Sequence, residues 1–198
     1  MEDQHFSSEE SLQLITKMIN QAKNYYYESG LGCLIWGFTN VICFVLAYLR
    51  DTQKISLPFN PFLLMIVAFV VHMYYDRKEN KIKKAVNYLD DVDKYVWSAF
   101  GIGVLVLTIA GGLTNIGYVV LPMLLILFGI PTFISGCISK LTPMIIGGIC
   151  CYILSILAFI NKDQYSSYLL VAAGACFAWI IPGFFMRVRF KKQMRQSQ

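Results

Sequence analysis

Charge is what this sequence has least of. No Asp, Glu, Lys or Arg occurs in residues 29–49, 55–75, 95–139, 141–161 or 164–186. Charged residues make up 15% of the chain and apolar ones 57%, whereas soluble domains usually carry about 25% charged residues. A helix that crosses a bilayer needs about 20 mostly apolar residues. Four of the windows are 21 or 23 residues long and hold one span each; the fifth, of 45, holds two with a turn between them. The pattern predicts an all-α membrane protein with six transmembrane helices, over about 31–49, 61–75, 96–113, 118–138, 143–161 and 166–186. The bilayer is then its first partner.

Other absences narrow the chemistry. The start, Met1 to Glu10, is acidic and polar, without the basic and short apolar regions of a cleavable signal peptide. There are two histidines, His5 and His72, and no C-x-x-C pair, so no metal site is expected. No nucleophile elbow, P-loop or dinucleotide fingerprint is present. Gly101-Ile102-Gly103 sits inside a span without a third glycine. The predicted reading is therefore not an enzyme, with no cofactor. Ionisable groups inside a bilayer usually mark ion or proton pathways, and the charge-free windows argue against coupled transport and voltage sensing. No internal repeat supports an inverted-repeat transporter. The six cysteines, Cys33, Cys43, Cys137, Cys150, Cys151 and Cys176, all fall in predicted spans and read as small buried hydrophobes. Cys33, near one end of its span, is the candidate for modification.

What charge there is falls unevenly. With six spans, fourteen of the seventeen Lys and Arg residues lie on the side of the termini, and Arg50, Lys54 and Lys162 lie on the other. Cytoplasmic loops retain basic residues, so both termini are expected to be cytoplasmic. A wrong span is expected to shrink that bias. The net charge of +5 fits contact with anionic head groups and not nucleic acid, because the basic residues are not clustered on a soluble domain.

Residues 1–30 are read as a cytoplasmic interfacial segment. Ser7 and Glu10 form a capping box, and Leu12, Ile15, Ile19, Ala22 and Tyr26 recur at helical spacing. Such a helix lies in the membrane interface. Residues 31–186 are the six-helix bundle and 187–198 a basic cytoplasmic tail. After the second span, Ile82, Val86, Leu89 and Val92 continue an apolar stripe, so a cytoplasmic helical extension is expected there. Asp90, Asp91 and Asp93 precede the third span, where a helix dipole favours negative charge. Leu12, Ile15, Ile19, Ile82, Val86 and Leu89 are the candidate partner contacts.

Asn60 and Pro61 suit a helix start, as do Thr142 and Pro143. Thr114-Asn115-Ile116-Gly117 reads as a tight turn. Pro131 and Pro182 lie inside spans and are candidate kinks. Gly101, Gly103, Gly111, Gly112, Gly147, Gly148 and Ala172-Ala173-Gly174-Ala175 let helices approach closely. Thr39, Asn40, Ser98, Thr108, Thr132, Ser135 and Ser155 are polar residues of the predicted core, expected to bond their own helix or a neighbour.

Three stretches together carry a resemblance: Gly129-Ile130-Pro131-Thr132-Phe133-Ile134-Ser135-Gly136, Pro143-Met144-Ile145-Ile146-Gly147-Gly148, and Trp179-Ile180-Ile181-Pro182-Gly183 before the basic tail. With the N-terminal helix they resemble a group of small, uncharacterised polytopic bacterial inner-membrane proteins. The resemblance implies a cytoplasmic (inner) membrane location and no particular activity. The topology alone is similar to permease subunits of ABC exporters, in which a helical excursion engages an ATPase. Two functions follow as expectations. The first is a non-enzymatic sensor, regulator or accessory subunit acting through a cytoplasmic or membrane protein partner. The second is a permease or channel for a neutral or lipophilic solute, working as a homo-oligomer.

Overall fold

The computed structural model describes residues 29–56, 58–80, 88–114 and 117–196, and every regular element among them is helical. α1 is Leu31–Gln53. A 3-10 turn, Pro61–Leu63, leads into α2, Leu64–Asn80. α3 is Tyr88–Leu113, α4 Gly117–Ile138 and α5 Thr142–Asn161. The last rod is α6, Gln164–Ala175, then a π-turn over Cys176–Ile180, then α7, Ile181–Gln196. Helices are what charge-free windows permit in lipid, because every backbone group must be satisfied within the segment.

Among the described residues five stretches are long and apolar enough to cross a membrane: Leu31–Gln53, Val92–Leu113, Tyr118–Ile138, Thr142–Asn161 and Gln164–Lys192. The predicted second span is not among them. α2 has 17 residues, and its last five are Asp76 to Asn80. Other boundaries differ as well. The third helix is already formed at Tyr88, where the described residues resume, and its apolar stretch starts at Val92, four residues before the expected 96. The basic segment from Arg187 is helical to Gln196, continuous with α7. Thr142 is not a cap: it is already helical, and Leu141 in extended conformation precedes it without a side-chain bond. Asn60 does cap, accepting the Phe62 amide at 3.1 Å. The N-terminal amphipathic helix, with Leu12, Ile15 and Ile19, lies outside the described residues, as do Ile82 and Val86; Leu89 falls in the first turn of α3.

The core gathers around Phe44 of α1, Leu125 and Phe128 of α4, Cys151 of α5, Val171 of α6 and Trp179 of the π-turn, all at most 2% exposed. The α4–α5 pair makes the largest contact. α5 meets the π-turn backbone directly at Gly147, where an added Cβ would stand 2.2 Å from the Phe177 carbonyl oxygen. Glycine is required there by distance. It is required at Gly30 by conformation, with φ at 71°. α2 and α3 are peripheral: α2 packs on α1, and α3 on α4.

Charges separate to the two ends of this bundle. At one end Gly30 lies against Gly183, Met186 and the Arg187 amide, and Gly32 lies against His72. Leu141, Met144 and Met186 cluster there with Cys33 and Trp97. The start of α1, the end of α2, the α4–α5 turn and the basic part of α7 therefore share that end. At the other end Arg50 pairs with Asp51 at 2.8 Å, and the Tyr168 hydroxyl donates to Asp51 at 3.1 Å while accepting from Gln164 at 3.0 Å. Asp163 caps α6 by accepting the Ser166 amide at 2.8 Å and the Tyr165 amide at 3.3 Å. These bonds, Ser166's first, hold its carboxyl below the usual value. Three helix ends, at Lys54, Lys140 and Lys162, close on a lysine in left-handed conformation.

Candidate functional site

Most polar residues of the predicted core make helix contacts; Thr39 instead lines the space between α1 and α2. Asn40 donates to the Trp36 carbonyl at 2.9 Å. Ser98 and Thr108 bond back to Lys94 and Val104, both at 2.7 Å. Ser155 donates to the Pro122 carbonyl at 2.9 Å, tying α5 to α4. Thr132 accepts the Trp179 indole N–H at 3.2 Å. Among the described residues no buried side-chain nitrogen or oxygen lacks a partner.

One carboxylate enters the bundle where the sequence offers no sign of it. Ser135 of α4 donates its hydroxyl to Asp93 Oδ1 and accepts the Trp97 indole N–H at 3.2 Å. Asp93 and Trp97 are four residues apart, so the early start of α3 puts both on the face turned to α4. Spacing alone could not reveal this, because the partner lies 42 residues away. Trp97 continues the contact inward, edge-on to Phe100 at 5.5 Å and tilted against Trp179 at 6.3 Å. The result is a latch that pins the basic end of α3 to the core.

Among the described residues the opposite face of α3 is bare. Tyr95, Ile102, Leu105, Val106, Ile109 and Leu113 are 54–81% exposed. Gly101 and Gly112, expected to sit in close helix contacts, have nothing within 4 Å of an added Cβ. Gly103 and Gly111 instead meet Leu127 and Val120 of α4, so the glycines divide between an inner and an outer face. Gly101, Leu105, Thr108 and Gly112 follow one another at four- and three-residue steps and form one outward seam.

The remaining candidates are structural in their contacts. His72 stands edge-on to Trp36, ring centres 6.3 Å apart, under Gly32. The predicted interfacial tip is thus partly tucked against α1. Cys43 and Cys151 are buried, Cys33 is partly buried, and Cys137 is exposed. Cys137 is the better candidate for modification by access. Pro131 lies inside α4, as does Pro122, which the sequence reading does not single out; Pro182 follows the π-turn directly. Among the described residues no three His, Cys, Asp or Glu side chains gather to hold a metal. No family model, curated protein or solved structure matches the chain.

Proposed function

We propose that this chain is a non-enzymatic regulatory or accessory subunit of a bacterial inner membrane, and that it works by packing a partner's transmembrane helix along the outer seam of α3. The observation that carries this reading is the pair of open glycines, Gly101 and Gly112, on the outer face of a helix whose inner face packs on α4 and the π-turn. In lipid, helices associate through small residues that let backbones close up. Small residues spent on a face with no neighbour leave room for one.

The membrane placement in this proposal uses six crossings, with both termini cytoplasmic. Basic residues alone do not choose this arrangement. If α2 failed to cross, the split would still be fourteen to three, with the N-terminus on the opposite side, so the expected shrinkage does not occur. Packing supplies the argument instead. Gly30, before α1, touches Gly183 and Arg187 of α7, so the chain enters α1 at the end where the basic helix emerges. α2 brings it back, from Pro61 beside Cys43 to His72 beside Gly32. Residues 61–75 rise about 22 Å, short of a hydrocarbon core roughly 30 Å thick. Local thinning accommodates such a mismatch at modest cost. Ile66, Val67 and Val70, about 60% exposed, suit a lipid-facing crossing.

The test is affinity purification of the tagged chain from native membrane in mild detergent, beside Gly101→Leu and Gly112→Leu. Both substitutions meet open space, so the variants are expected to fold and to lose the partner. Equal recovery of the same partner by parent and variants would overturn the seam. Recovery of no stoichiometric protein would overturn the subunit reading.

A further inference from the structure

A groove of about 390 Å³ runs between α1 and α2, walled by Leu31, Leu34, Phe38, Ile42, Leu64 and Val67. Its α1 wall, Leu31 to Ile42, is about 16 Å long. That is close to one leaflet of a hydrocarbon core roughly 30 Å thick. The groove opens sideways, since Phe38, Ile42 and Val67 are 46–59% exposed. It lies toward the basic end of the bundle, where Gly32 meets His72.

The chemistry at that end completes the case. On α2 the groove-facing positions Leu64, Ala68 and Val71 continue at four- and three-residue steps to Tyr75 and Lys78. Asp76 projects from a different side of α2, about 130° away from that row. On the other flank, Phe184 of α7 stands edge-on to Phe38, ring centres 6.2 Å apart. Two turns further along the same face of α7 is Lys191. Lys78 and Lys191 are both exposed. Beyond the end of this apolar slot, the two helices beside it thus each carry an exposed lysine, Lys78 about 10 Å along α2 from Val71, with Tyr75 in the same row, a residue type favoured at head-group depth.

We propose that this groove seats one acyl chain of an anionic glycerophospholipid from the leaflet at the basic end, with the phosphate held by Lys78 and flanked by Lys191. The inference rests on the membrane placement and not on a partner at α3. Basic residues near a membrane surface favour anionic head groups, and the slot fixes which lipid molecule is held.

The probe is the thermal midpoint of the purified full chain in neutral detergent, with added dioleoyl phosphatidylglycerol, dioleoyl phosphatidylcholine or inorganic phosphate. Phosphatidylglycerol is expected to raise the midpoint, since a ligand that binds the folded state stabilises it by mass action. Phosphatidylcholine is expected to do so much less, and inorganic phosphate not at all. Val67→Trp fills the slot and should abolish the lipid effect while the midpoint in detergent alone stays near the parent's. Lys78→Gln should weaken phosphatidylglycerol about fivefold and erase its advantage. Equal shifts with the two lipids, a shift with phosphate alone, or a full lipid response in Val67→Trp would each overturn the proposal. Should Val67→Trp fail to fold, Ile42→Trp on the facing wall replaces it. A chain recovered in the soluble fraction would overturn the membrane placement itself, before any lipid is added.

Discussion

The indole N–H of Trp179 donates to the Thr132 hydroxyl at 3.2 Å, and neither side chain is more than 2% exposed. Phe128 lies 4.4 Å from the Trp179 ring and Phe100 6.2 Å from it. The bond therefore orients the largest side chain of the core. Thr132→Val keeps the shape and removes the acceptor, stranding a buried donor. The expected loss is about 1–3 kcal/mol, read as a lower unfolding midpoint in detergent. Thr132→Ser should retain most of the parent stability, and equal stability of the Val and Ser variants would count against the bond.

Two glycines should respond oppositely to alanine. At Gly147 the new methyl meets the Phe177 carbonyl oxygen, a backbone atom of the π-turn that has no rotamer to change. Gly147→Ala should lose about 1–3 kcal/mol as an overpacked contact. At Gly112 nothing lies within 4 Å, and alanine there should gain up to about 1 kcal/mol from helix propensity. Midpoints of the two variants side by side decide it.

Lys162 ends α5 with φ at 50° and sits outside the apolar core. A left-handed conformation costs a residue with a Cβ about 1–2 kcal/mol, and glycine relieves that cost. Part of the gain is offset, because a cation at a helix C-terminus contributes about 0.3–1 kcal/mol. Lys162→Gly is expected to raise the midpoint modestly, more at high salt than at low, since salt screens the dipole term being given up.

Asp163 makes a pH prediction with a definite sign. Its folded-state value is lowered, first by the Ser166 amide. The stabilisation is therefore present above the unfolded carboxylate value, near 3.9, and is lost as pH falls through the lower folded value. Asp163→Ala should lower the midpoint at pH 7 and narrow its gap to the parent at acid pH. A gap that does not narrow would mean that the capping charge contributes nothing.

Much of the helix layout is legible in the sequence because lipid imposes one rule over long windows. The charge-free stretches at 118–138 and 143–161 became α4 and α5 with ends shifted by one residue. The second span was harder, because a 15-residue apolar run sits at the margin where length no longer decides. Side-chain direction was less legible still. Gly101 and Gly103 look alike as letters, yet one faces empty space and the other Leu127. Asp93 reads as the charged prelude to a span, but its partner Ser135 is on another helix. The π-turn has no local signature short of Pro182, whose missing amide prevents the ordinary bond back to Ala178; its place is set by Trp179 and Gly147 packing around it.

That π-turn also sets the phase of everything downstream. The Ile181 amide bonds back five residues, to Cys176, so the rod from Gln164 to Gln196 carries one residue more than an unbroken α-helix would. The extra residue is taken up within the turn, which absorbs the roughly 100° of rotation that one α-helical residue adds. Rewinding the same residues as even α-helix, with none removed, would turn α7 by about that much against α6. Gly183 would swing away from Leu34 and Cys33, and the row of Arg and Lys would point to a different sector of the membrane surface. The winding of this turn works as an angular setting, felt a full helix away.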